Sequence, residues 1–143
     1  KHPPVTAPMY GIEQIAPYNT WAVRHAVLYP DQPFDLVRLD EDADGVHFGL
    51  FDQNRLITVI STFARGDEMQ FRKFATLKEF QGRGYGSAMM RHVLGYARDE
   101  GIRKLWCNAR TSAGPFYARF GFSASGEHFT KNGIDYVIMS VMV

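Results

Sequence analysis

The chain reads as a mixed α/β (α+β) domain: a central, mostly antiparallel sheet with one parallel strand pair, flanked by helices. Three observations predict it. Strand-like runs at residues 46–51, 56–63 and 69–77 follow one another with only short polar connections, which makes them antiparallel neighbours. The third run leads through a glycine-rich turn into a long amphipathic helix and then a compact strand at 104–109, a β-α-β crossover whose two strands run parallel. Two further strand patterns, 122–130 and 134–142, close the chain as a hairpin around Lys131-Asn132-Gly133.

Residues 9–15, bounded by Pro8 and Pro17, read as a first strand after a loose leader. Asn19 or Thr20 is placed to cap a helix through Trp21, Ala22, Val23, Ala26, Val27 and Leu28, with Arg24 and His25 on its polar side. Pro30 disfavours helical geometry at Tyr29 and ends it there. Residues 31–44 scatter Pro33, Phe34, Leu36, Val37 and Leu39 among acids and read as an irregular connection. The first hairpin link is Asp52-Gln53-Asn54-Arg55, and Arg65-Gly66-Asp67-Glu68 makes the next turn.

From Tyr85, the apolar positions Met89, Met90, Val93, Leu94 and Ala97 keep a helical period while Arg91, His92, Arg98, Asp99 and Glu100 mostly face away. Gly101 stops this helix. Gly95 inside it costs about 1 kcal/mol against alanine, which suggests close packing on the sheet. A short helix over 112–120 follows, stopped by Gly121.

With 143 residues the chain is expected to form one domain, 1–143, able to bury its own core. Net charge +1 gives no field that would recruit nucleic acid or a membrane surface, so neither is expected as a partner. No apolar run approaches the roughly 18 residues of a membrane span, and no signal-peptide pattern opens the chain. It begins Lys1-His2 rather than with methionine, which leaves its native start open. Cys107, the single cysteine, excludes an internal disulfide and fits a reducing cytoplasm. Strand alternation groups it with Leu105 and Ala109 as a buried, inert thiol rather than a nucleophile. Five scattered histidines offer no metal-ligand spacing, and no metal is expected.

The chemistry concentrates in Gln81-Gly82-Arg83-Gly84-Tyr85-Gly86-Ser87. Glycines at alternate positions let consecutive N–H groups converge on an anion at the positive end of a helix, a geometry that suits phosphate. A bare strand-to-helix connection is the alternative. No lysine follows Gly86, which excludes a Walker loop, and Met89 stands where a dinucleotide fingerprint needs its third glycine. What remains, Gln-x-x-Gly-x-Gly between a strand and a long helix, resembles the pyrophosphate loop of the GNAT superfamily of acetyl-CoA-dependent N-acyltransferases. The later segment Ala113-Gly114-Pro115-Phe116-Tyr117-Ala118-Arg119-Phe120-Gly121-Phe122 is similar to that family's Ala-x-x-Phe-Tyr-x-x-x-Gly-Phe. The match runs from Phe71 to the C-terminus, and the element order of the whole chain fits a GNAT domain.

The resemblance implies a GNAT fold in which the parallel pair splays and acetyl-CoA (coenzyme A), as co-substrate, enters the gap. Phe74, Ala75 and Thr76 would offer backbone groups to its pantetheine arm. Gln81, Gly82, Arg83, Gly84, Tyr85, Gly86 and Ser87 would hold the pyrophosphate, chiefly through main-chain N–H groups. Tyr117 would be the catalytic acid, since a phenol can donate to the departing thiolate; a buried aromatic on a short helix is the plain alternative. The implied activity is acetyl transfer to a primary amine of a small molecule or peptide by direct attack in a ternary complex. The region between first helix and second strand would shape the acceptor site, and its acids mildly favour a cationic amine, though an acidic loop is more often only solvated. No residue stands out as base; His47, with Asn108 as an orienting group, is the candidate weighed against a structural histidine. Arg110 departs from the asparagine common in the family and could bind phosphate or an anionic acceptor. A non-catalytic acyl-CoA-binding sensor is the rival reading, and the closing strand could pair across a homodimer by analogy.

Overall fold

The computed structural model describes residues 9–143. The expected leader lies outside them. Among the described residues, seven strands form one sheet in the order β1-β2-β3-β4-β5-β7-β6. These are β1 (Tyr10–Ile15), β2 (Val46–Asp52), β3 (Arg55–Arg65), β4 (Glu68–Thr76), β5 (Lys104–Arg110), β6 (Ser123–Lys131) and β7 (Ile134–Met142). Helices α1 (Trp21–Leu28), α2 (Tyr85–Asp99) and α3 (Gly114–Ala118) complete the fold. All neighbouring strands are antiparallel except β4 and β5, the parallel pair joined by α2.

Turn chemistry fixes the register. β2 and β3 extend through Asp52 and Arg55, so the link shrinks from the four residues expected to Gln53-Asn54. Both have positive φ, 51° and 64°, the paired left-handed geometry that follows strand twist and that asparagine tolerates. Asn132-Gly133 repeats this between β6 and β7, with φ of 52° and 76°. Lys73 is different: it sits inside β4 at φ 54°. Register passes there from Ser61↔Arg72 to Val59↔Ala75, so β4 carries one extra residue, a bulge that bends the strand.

The bend matters because β4 and β5 pair only over Glu68–Gln70 and Lys104–Trp106. Beyond that point β4 stays on β3 and β5 stays on β7. The sheet is therefore open between them.

Two apolar groups clamp the sheet. α2 buries Ala88, Met89, Met90, Val93, Leu94 and Ala97 with Phe48, Leu50, Ile60, Met69, Phe71, Leu105 and Cys107. α1 presses Val23 onto Val59 and Ala75. His92 was expected to face away with the charged residues, yet its ring packs edge-on against Phe48 at 4.9 Å, because aromatic packing outweighs exposure at this helical position.

Two further expectations fail. Arg24 does not face solvent: it is 0% exposed. Its guanidinium forms a two-pronged pair with Asp42 at 2.9 Å and also donates to Val37 O and Ser61 Oγ. Asp42 takes further hydrogen bonds from Trp21 Nε1 and Leu39 N. Helical periodicity alone assigns a charge to the outside, whereas a paired and hydrogen-bonded charge can be buried. Gly95 does not serve close packing either, since a Cβ there meets nothing within 4 Å. Gly95→Ala is accordingly expected to raise stability by about 0.5–1 kcal/mol in urea unfolding, through helix propensity and reduced unfolded-state freedom. Asp42→Ala, which strands the buried guanidinium, should cost about 3–5 kcal/mol in the same experiment.

Candidate active site

Local sequence builds the glycine turn between β4 and α2. Gly82 and Gly84 hold φ of 78° and 87°, where an L side chain is strained, and Gly84 caps α2. Ala88 N, bonded to Gly84 O at 3.0 Å, is the first α2 amide to find a helix carbonyl. The amides of Tyr85, Gly86 and Ser87 before it lie in the helix turn that has no intrahelical acceptor. A Cβ at Gly82 or Gly84 would meet nothing within 4 Å, so space is open above the loop.

Side chains around the loop divide between support and charge. Gln81 Nε2 donates to Thr76 O at 2.9 Å and ties the loop to the end of β4. Tyr85 OH donates to Asp52 Oδ2 at 2.5 Å, and that bond raises its pKa above the usual phenol value. The hydroxyl of Tyr85 is thus spent on structure. Arg83 lies over the Phe80 ring at 5.2 Å. Arg119, which nothing in the local sequence singles out, reaches Ser87 Oγ at 3.4 Å and brings a second cation to the helix start. Its position within the Phe-Tyr segment was visible, but the direction of a side chain leaving a short helix was not.

A cavity of about 600 Å³ occupies the opening between β4 and β5. Phe71, Lys73 and Phe74 line it from β4, and Cys107, Asn108, Ala109 and Arg110 from β5. Tyr117 of α3, Tyr29 and Asp31 after α1, and Phe129, Lys131 and Tyr136 of the closing hairpin complete the walls the argument needs. Of the site residues expected from sequence, Phe74 and Tyr117 meet in this cavity. The loop 81–87 adjoins it without lining it: a Cβ at Gly86 would sit 3.7 Å from the Phe74 ring and 3.8 Å from that of Phe116. Ala75 turns its side chain to the α1 cluster, and Thr76 bonds Thr58 at 2.9 Å, so only their backbones are available to the opening.

Tyr117 is almost fully buried against Phe71, Phe116 and Phe122. Burial, followed by the nearby Cys107, pushes its phenol well above the usual value, so it stays protonated throughout the neutral range. Cys107 shares the buried face with Leu105 and Ala109 as expected, and burial pushes its thiol up to about 12.

His47 is not at the cavity. Its Nε2 faces Asp42 O at 2.8 Å and its Nδ1 faces Ser61 Oγ at 2.7 Å. A carbonyl can only accept, so Nε2–H donates to it and Nδ1 accepts from the Ser61 hydroxyl, whose oxygen in turn accepts from Arg24. The imidazole is neutral with both nitrogens engaged, and burial first, with Arg24 adding, lowers its pKa. Asn108 instead lines the cavity, apart from His47. The base expectation therefore yields to the structural one, because bonds made by Ser61 and Asp42 are invisible in linear spacing.

The fold is shared with known proteins. The model of the Acetyltransferase (GNAT) domain matches residues 32–143, and the chain belongs to that family. The uncharacterized N-acetyltransferase YitI of Bacillus subtilis (strain 168) is 28% identical over 141 residues, covering 92% of this chain and 95% of its own length. Among solved structures, a provisionally assigned N-acetyltransferase from Lactobacillus plantarum superposes with TM-score 0.85 at 21% identity over 94% of this chain and 99% of its own. A GNAT family acetyltransferase from Elizabethkingia anophelis, with acetyl-CoA bound, gives 0.74 at 16% identity over 96% and 100%. No helix among the described residues is long and apolar enough to cross a membrane.

The neutral His47 makes stability pH-dependent. Its folded pKa lies below the unfolded value near 6.5, so the unfolded chain binds the extra proton first as pH falls. Stability should be full above about pH 7 and decline below it, by at most about 1.4 kcal/mol per pH unit from this group. His92, also lowered by burial, acts in the same direction. Urea midpoints between pH 7.5 and 5.5 check this, and His47→Gln should flatten the slope.

Proposed function

We propose that residues 1–143 work as one acetyltransferase unit, moving acetyl from acetyl-CoA to a primary amine of a small molecule or peptide by direct attack in a ternary complex. The observation that carries this reading is the coincidence of an unpaired β4 edge, a glycine loop with free amides and a protonated Tyr117 beside one cavity. The acyl thioester supplies the activated carbonyl carbon. The β4 edge over 71–76, lacking a β5 partner, can bond an extended arm as a strand would. Loop amides at the positive end of α2, with Arg83 and Arg119 nearby, suit a pyrophosphate.

Tyr117 holds its proton too tightly to release it outright, so its role is to donate a hydrogen bond to the leaving sulfur. The amine must arrive neutral or lose a proton, and the proton it sheds equals the one the sulfur gains. Among the described residues Asp31 is the one carboxylate on the cavity wall; it is exposed, and this reading assigns water as the carrier of that proton. The closing strand β7 lies inside the sheet between β5 and β6, so it is not the pairing edge; β6, exposed along its whole length at the sheet edge, is the surface on which a second copy would pair.

Thiol release from acetyl-CoA over a panel of amines tests the reading, and Tyr117→Phe should lower kcat by about 10²–10³-fold while cofactor binding persists. Amine-independent binding with no release from any acceptor would favour a sensing module instead. Gly84→Ala, which forces a Cβ into a left-handed residue at the loop, should weaken acetyl-CoA binding about tenfold or more by calorimetry.

A further inference from the structure

Charge on the cavity wall is one-sided. Among the described residues Arg72, Lys73, Arg110 and Lys131 line it, against the single carboxylate of Asp31. Two of these cations are already engaged within the protein: Arg72 pairs with Glu41, and Lys73 donates to Tyr29 OH while lying 4.8 Å from that ring. Arg110 and Lys131 are exposed and have no hydrogen-bonding or ionic partner among the described residues.

Register places these two on one surface. Arg110 lies directly opposite Tyr136, which lies directly opposite Phe129. Directly paired residues project from the same face, as do residues two apart on a strand, so Lys131 shares the face of Phe129. Phe129 and Tyr136 stack at 5.2 Å with 11° between their planes. The result is a flat aromatic panel with Arg110 beside Tyr136 across the sheet and Lys131 two residues beyond Phe129 along β6. The pyrophosphate loop has its own cations, Arg83 and Arg119, beyond Phe74 at the other end of the opening, so this pair is not needed there.

We infer that Arg110 and Lys131, flanking the Phe129–Tyr136 stack, bind an anionic group, carboxylate or phosphate, carried by the acceptor amine. Polyamines, which bring only positive charge, are then poor acceptors. The guanidinium fork of Arg110 gives directional contact with an oxyanion, Lys131 adds a point charge, and the rings cover the apolar body. The assignment rests on the acetyltransferase reading for the word acceptor, but the anion site can be tested without turnover.

Calorimetry in the presence of coenzyme A, with 3-phenylpropionate, 2-phenylethyl phosphate and the neutral 3-phenylpropanamide, reads the site directly. At least one anion should bind tenfold or more tighter than the amide, and the stronger of the two identifies carboxylate or phosphate. Arg110→Gln and Lys131→Gln should each erase most of that preference, with far-ultraviolet circular dichroism showing the variants folded. Equal binding of all three probes, absence of binding, or a preference untouched by both substitutions overturns the inference. A preference that persists while no amine is acetylated upholds the anion site and overturns the transferase reading instead.

Discussion

Parallel pairing of β4 and β5 stops after Gln70 and Trp106, and everything at the site follows from where it stops. β4 leaves because an extra residue, Lys73 at φ 54°, bends it, while β3 continues to hold its other edge. β5 cannot follow, since β7 pairs with it all the way to Arg110. Backbone that would elsewhere be consumed by a sheet ladder is left facing a cavity. The positive φ of a lysine is uncommon, and this one is held by its ammonium on Tyr29 and by Arg72 next to it on Glu41. Strain in the strand is thereby tied to the segment that forms the facing wall.

That segment needs its own anchor, because residues 29–44 contribute little regular structure. The anchor is the buried pair of Arg24 and Asp42. Burial opposes ionisation of Asp42, but its hydrogen bonds from Arg24, Leu39 and Trp21, together with the Arg24 charge, prevail and lower its pKa. Through Ser61 and His47 the same network reaches β3 and β2, so one polar hub ties helix, connection and sheet. A buried pair of this kind adds little net stability over an apolar substitute. Its effect is positional: it fixes where Tyr29 and Asp31 stand across the cavity from the closing hairpin.

The fold was legible where sequence carries period or punctuation. The alternation of Leu105, Cys107 and Ala109, the helical repeat from Met89 to Ala97 and the turn at Asn132-Gly133 each determine an element from neighbours within a few residues. The loop at Gln81 to Ser87 was legible for the same reason, since glycine at a left-handed position is a local requirement. What escaped were long-range polar partnerships. Arg24 and Asp42 are distant in sequence, and nothing local announces that a helix arginine will find a carboxylate, a serine and a carbonyl inside. The cavity wall of Arg110, Tyr136, Phe129 and Lys131 is likewise a product of register across three strands. Sequence marks Arg110 as an unexpected residue type but does not show its neighbourhood.

Amide hydrogen exchange, with and without acetyl-CoA, tests the central claim that the open edge of β4 and the glycine loop form one cofactor site. Added cofactor is expected to slow exchange in residues 74–76 and 82–87 together, leaving β6 unchanged. Protection confined to other elements, or none in either stretch at saturating acetyl-CoA, would contradict it.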